Sequence, residues 1–196
     1  MARFLNCAAV AALTVLATAC SSDPAHFYTL SATATPAAAT STLTVAVGPV
    51  SVPAAVDRPQ IVVSTGANQV SIDDFNRWAA PLQDNLVRVV AENLATMLGT
   101  PRVTLYPTLA TNVDFRVQID IRNFESAPGK YALLDAVWTV RRMKDGKSET
   151  GRTSVRETIV ESGYDALAAA HSRGVARMSQ DIATAVRALE GAAPAS

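Results

Sequence analysis

The chain has 196 residues, of which 17 are basic, 17 acidic, two histidine and two cysteine. That length suits a single domain burying roughly 70% of its unfolded surface, so neither a second domain nor covalent staples are needed. Zero net charge and no basic stripe argue against nucleic acid as a partner.

The two cysteines fall at positions 7 and 20, both near the start. Residues 1–6, with Arg3, read as a positive n-region, and residues 7–16 as an apolar h-region. The run from Cys7 to Cys20 is shorter than the roughly 20 residues a spanning helix needs. Small residues at Ala17 and Ala19 mark a cut before Cys20, giving a leader over residues 1–19. Val15-Leu16-Ala17-Thr18-Ala19-Cys20 resembles a bacterial lipobox, which implies that Cys20 is acylated and serves as a membrane anchor. An ordinary secretory cut at the same bond would leave a free thiol there. Either way the mature domain holds no internal disulfide. Ser21 and Ser22 resemble an outer-membrane address under enterobacterial sorting.

Residues 31–42 are Ala, Thr and Ser with one proline, too poor in large apolar groups to order themselves. The expectation is a flexible tether over residues 20–42, with an r.m.s. span of about 25 Å and a ceiling of about 75 Å. Within it Phe27-Tyr28-Thr29-Leu30 favours β structure and either docks as an edge strand or meets a partner.

The folded domain is expected over residues 43–190, with a disordered tail at 191–196. Leu43, Val45 and Val47 alternate with small residues up to Gly48-Pro49, a strand. Residues 57–63 are extended because Pro59 keeps Arg58 out of the α region. Gly66-Ala67-Asn68 turns the chain into a short strand, residues 69–72, and Asp73-Asp74 read as caps ahead of a helix. Pro81 opens that helix; Leu82, Leu86, Val89, Val90, Leu94, Met97 and Leu98 repeat at helical spacing, and Gly99 with Pro101 ends it. Asp84, Arg88 and Glu92 fall four apart on another face.

A short strand is expected at 102–106. Residues 113–121 alternate strictly between apolar and polar, a half-buried strand. Pro128-Gly129 leads into a strand at 131–143, and Asp145-Gly146 predicts a tight hairpin turn. The polar return strand, 149–160, suits a sheet edge. The last helix covers residues 164–189, with His171 on its apolar stripe. This order predicts an α+β fold: a mixed or largely antiparallel sheet of about five or six strands with two amphipathic helices on one face.

Candidates for chemistry are few. His26 lies in the expected tether, and His171 reads as a partly buried structural residue. The sequence has no G-x-S-x-G, phosphate loop or H-E-x-x-H, and no thiol within the domain for catalysis or zinc. No catalytic residue, metal site or cofactor is expected. Two runs stand out instead, Asp57-Arg58-Pro59-Gln60-Ile61-Val62 and Arg77-Trp78-Ala79-Ala80-Pro81-Leu82. Trp78 is either a buried staple over the helix start or an exposed anchor for a partner. Arg58 and Arg77 either satisfy Asp57 or Asp74, or bind lipid phosphate or an acidic partner.

These two runs, with Phe27-Tyr28-Thr29-Leu30 behind the cysteine and Gly48-Pro49-Val50, resemble the ABC-type transport auxiliary lipoproteins, the PqiC-like family. By motif the resemblance spans the leader to about Leu98. It implies a non-catalytic subunit, anchored at the outer membrane with its domain facing the periplasm. The implied partner is the MCE-domain protein of a lipid-transport system, and some members are expected to form rings. Arg58, Pro59, Gln60, Arg77, Trp78, Phe27 and Tyr28, from the runs that carry the resemblance, are the candidates for partner binding. Two other readings stand beside it: a structural envelope lipoprotein that assists an outer-membrane complex, and a periplasmic lipid-binding module.

Overall fold

Alternating side chains build the larger of two sheets. In β6 (Phe115–Ala127) Phe115, Val117, Ile119 and Ile121 turn inward, and in β7 (Tyr131–Arg142) Ala132, Leu134, Ala136, Trp138 and Val140 do the same. A computed structural model describes residues 24–107 and 112–192 of the chain; the leader and Cys20 lie outside the described residues. β7 pairs antiparallel with β6 and with β8 (Ser148–Thr158), so the polar β8 lies at the expected edge. β2 (Val45–Ser51) pairs parallel with β6, and β5 (Val103–Leu105) parallel with β2. The result is a mixed five-stranded sheet in the order β5-β2-β6-β7-β8. β2 does not stop at Gly48-Pro49. A bulge there shifts its register, and Gly48 supplies the φ of 120° that a side chain would resist.

Two helices, α1 (Leu82–Leu98) and α2 (Tyr164–Gly191), pack on each other and on one face of this sheet. The α+β expectation holds. The described residues carry a second, three-stranded sheet as well, formed by β1 (His26–Tyr28), β3 (Gln60–Gly66) and β4 (Gln69–Trp78) in the order β1-β4-β3.

Three local expectations need correcting. First, Asp145-Gly146 does not make a two-residue turn: β7 and β8 are joined by residues 143–147. Buried Arg142 accounts for the longer loop. Its Nε and Nη2 donate to Asp145 at 3.0 and 2.6 Å, and its Nη1 donates to the backbone oxygens of Leu189 and, at 2.8 Å, Ala192. One guanidinium thus ties the hairpin to the last turn of α2, whose carbonyls lack helical partners. The Arg142 hydrogen bonds hold the Asp145 carboxyl down at about 2.

Second, residues 29–42 are not a free tether. Leu30 is fully buried, which stabilises the fold by roughly 2 kcal/mol. Asn93 Oδ1 accepts the backbone N–H groups of Thr33 and Ala34, each at 3.1 Å, and Ser172 Oγ accepts that of Ser31 at 3.1 Å. Ala37 N donates to Thr96 O and Ser41 N to Gly99 O. Buried polar side chains on the two helices thus supply the order that this Ala/Thr/Ser stretch lacks by itself.

Third, helix-capping by Asp73-Asp74 fails, because β4 continues to Trp78 and α1 begins only after Pro81, without a side-chain cap.

Candidate functional site

The small sheet has an unusual construction. In β4 the pairing steps from Ile61↔Asp73 to Gln60↔Arg77, so residues 74–76 are extra. Asp73 makes this irregularity stable. Its Oδ1 accepts the N–H groups of Phe75 and Asn76 at 3.0 and 2.9 Å; its Oδ2 accepts Asn76 Nδ2 at 3.0 Å and the Tyr164 hydroxyl at 2.6 Å. Burial alone would raise the Asp73 pKa. The hydrogen bonds from Tyr164 and Asn76 outweigh that and hold it below the usual carboxylate range. The Tyr164 hydroxyl is pushed up, first by burial and then by Asp73.

Cross-strand partners share a face of a sheet. The pairs Gln60↔Arg77, Val62↔Ile72 and Ser64↔Val70 therefore lie on one face, and Phe27↔Arg77 adds β1 to it. The other face, with Ile61, Val63 and Trp78, is buried in the core. The outward side is mixed: besides Gln60, Ser64 and Arg77 it exposes large apolar groups. Phe27 is 63% exposed, Val70 63%, Phe75 47% and Ile72 46%. Beside it the loop at residues 53–58 and the bulged part of β6 enclose a groove of about 440 Å³, whose walls include Val56, Val62, Ile72, Arg122 and Phe124. Arg58 also lines this groove, and its buried Nε has no hydrogen-bond partner.

The residues singled out in the sequence divide between the two faces. Phe27, Gln60 and Arg77 lie outward, with Arg58 and exposed Pro59 next to them. Tyr28 and Trp78 turn in. Tyr28 packs on Tyr164 at 5.7 Å between ring centres and donates to Asn76 Oδ1 at 2.8 Å. Trp78 is 5% exposed, the staple rather than the anchor of the two readings above, and lies edge-on to Phe124 and His171. Neither arginine forms an ion pair with Asp57 or Asp74, the first of the two readings above. Arg77 Nε donates instead to the backbone oxygen of Asp74 at 2.8 Å.

His171 is buried completely rather than partly. It stacks on Phe124 at 3.8 Å and meets Ser126 Oγ through Nε2 at 2.8 Å. Burial pushes its pKa down to about 3, so at neutral pH it is an uncharged core residue. Sequence reasoning missed Val62, Val70, Ile72 and Phe75 as surface groups. The only signal was Val70 and Ile72 alternating with Gln69, Ser71 and Asp73, which reads equally well as a buried face.

Among the described residues no helix is long and apolar enough to cross a membrane, and no group of three or more His, Cys, Asp or Glu residues is placed to hold a metal ion.

No curated protein matches the chain. Among solved structures, a crystal structure of an uncharacterized protein is 19% identical with a TM-score of 0.69, covering 84% of this chain and 99% of that one. Protein XCC0632 from Xanthomonas campestris is 17% identical with the same TM-score, covering 85% and 100%. A PelC dodecamer from Paraburkholderia phytofirmans is 16% identical over 74% of this chain and 91% of that one, with a TM-score of 0.38, too low to carry an argument. The family model for the ABC-type transport auxiliary lipoprotein component matches residues 28–183, a span that takes in most of both sheets and of both helices. The chain belongs to the ABC-type transport auxiliary lipoprotein family.

Proposed function

We propose that this protein is a non-catalytic subunit of an ABC/MCE-type lipid transport system. It is held at the outer membrane by acylated Cys20 and docks the MCE-domain partner on the periplasmic side. The observation that carries the reading is the groove beside the β3–β4 hairpin. It combines an apolar wall, Val62, Val70 and Ile72, with a guanidinium at Arg58 whose Nε has no partner. Such a surface suits a segment with apolar side chains and one carboxylate. Arg gives the carboxylate directional hydrogen bonds and the apolar wall excludes water around them. Family membership supports a transporter partner. The buried, uncharged His171 supports a body whose role is geometric rather than chemical.

The test is capture of the MCE-domain protein by the full, lipidated chain. Arg58→Glu and Val70→Asp both alter exposed or half-exposed positions, so both variants fold. Each is expected to lower capture by an order of magnitude or more, since interface hot spots contribute about 2 kcal/mol or more. Undiminished capture by both folded variants would remove the groove from the interface.

A further inference from the structure

The order of residues 29–42 changes where the anchor sits. Had residues 20–42 been a free tether, the body could have wandered about 75 Å from the membrane. Strand β1 instead begins at His26, six residues after Cys20. Six residues reach about 20 Å at full extension. Whatever surface surrounds the start of β1 is therefore held close to the lipid.

That surface is the outer face of the small sheet at its β1 end. β1 runs parallel to β4 with His26 opposite Asn76 and Phe27 opposite Arg77. The residues before His26 therefore lead back along β4 toward Phe75, which precedes Asn76. Two exposed aromatic rings, Phe27 and Phe75, thus stand beside the point where the anchor segment enters the fold, with Arg77 on the same face as Phe27. In water such a pair is a liability. Against a bilayer it is an asset, because phenyl rings bury into the boundary between headgroups and acyl chains and a guanidinium pairs with lipid phosphate.

We infer that Phe27, Phe75 and Arg77 rest on the lipid surface in which Cys20 is anchored, so that only the β1 edge of the small sheet touches the membrane and the part of its outer face around Val62 and Val70 stays open to the partner. This rests on the reading of Cys20 as the acylated anchor. The acyl chains hold the protein; the aromatic patch fixes its orientation. The opposite end of the molecule is the loop at residues 143–147. It is tied by Arg142 to the last turn of α2, while the first residue of that 28-residue helix, Tyr164, packs on Tyr28 of β1. The helix separates the two ends by about 42 Å.

The mature chain contains no cysteine besides Cys20, so single-site labelling is clean. Full, lipidated chains carrying Phe75→Cys, Phe27→Cys or Lys144→Cys are labelled with an environment-sensitive fluorophore and placed on phosphatidylethanolamine/phosphatidylglycerol vesicles. Each of the first two leaves the other aromatic ring in place. The expected result is a several-fold loss of quenching by aqueous iodide at positions 27 and 75, with quenching by spin-labelled lipid appearing there. The label at 144 should stay open to iodide. Vesicle-bound protein with equal iodide access at 27, 75 and 144 would overturn the inference and leave the anchor reading intact. Protein that fails to stay on the vesicles would overturn both. Protection appearing only when the MCE-domain partner is added would assign the two rings to a protein interface and overturn the membrane contact.

Discussion

Both sheets bury one face in the core and present the other outward, yet the outward faces differ in chemistry. On the large sheet the solvent side carries Arg116, Gln118 and Asp120 in β6 and Asp135 and Thr139 in β7. Asp135 is gripped by Arg152 at 2.7 and 2.8 Å and Thr139 is hydrogen-bonded to Thr150 at 3.0 Å. On the small sheet the corresponding side carries exposed Phe27, Val70 and Ile72 among Gln60, Ser64 and Arg77, with Phe75 exposed at the irregularity beside them. A large sheet edged by the Arg- and Glu-rich β8 is finished against water. The small sheet is left unfinished, which is the form a contact surface takes. The difference is the basis for proposing the small sheet as the contact side.

The largest way to disturb this contrast is to cut the small sheet from the core. Trp78→Ala removes the ring that joins β4 to Phe124 and His171. It is expected to cost about 3–5 kcal/mol in a denaturant titration, destroying partner capture as a consequence of unfolding. Next comes Gly99→Ala. Gly99 has φ of 66°, and an added Cβ would lie 2.2 Å from Ala39 O in the segment that crosses the end of α1. The expected cost is about 1–3 kcal/mol, with faster amide exchange at residues 37–41 and unchanged exchange in β6 and β7.

A pH titration of stability sharpens the comparison further. His171 lies beneath the small sheet with its pKa lowered from 6.5 to about 3, so the unfolded chain takes up a proton that the folded one refuses. Its contribution is complete above pH 6.5 and is lost as pH falls from there toward 3. His171→Phe should therefore gain on the wild type steadily over that window; parallel stability curves for the two proteins would refute the assignment. The smallest effect belongs to the polar face. Thr139→Ala removes a cross-strand hydrogen bond worth under about 1 kcal/mol and should leave partner capture untouched.

What was legible in the sequence follows the same division. The alternation in β6 and β7, the stripe of α1 and the polar edge strand β8 are period-2 and period-3.6 signals that need no partner to be read. Residues 29–42 were illegible because their order comes from Asn93 and Ser172, on helices far along the chain. Asp73 misled for a related reason. A carboxylate that accepts backbone N–H groups two and three residues ahead looks the same in sequence whether it caps a helix or stabilises a bulged strand. The candidate site was half visible. Arg58, Gln60, Arg77 and Phe27 stood out as specific residues in a bland chain, but pattern alone does not tell which side of β4 meets water, so Val70, Ile72 and Phe75 escaped notice.

The central claim is that the outer face of the small sheet, and not that of the large one, meets the transporter. Site-specific photo-crosslinking in the full, lipidated chain tests it most directly, with the reactive group at Val70 in one protein and at Thr139 in another. The account predicts a covalent adduct with the MCE-domain subunit from position 70 and none from 139. An adduct from 139 with none from 70 would contradict it.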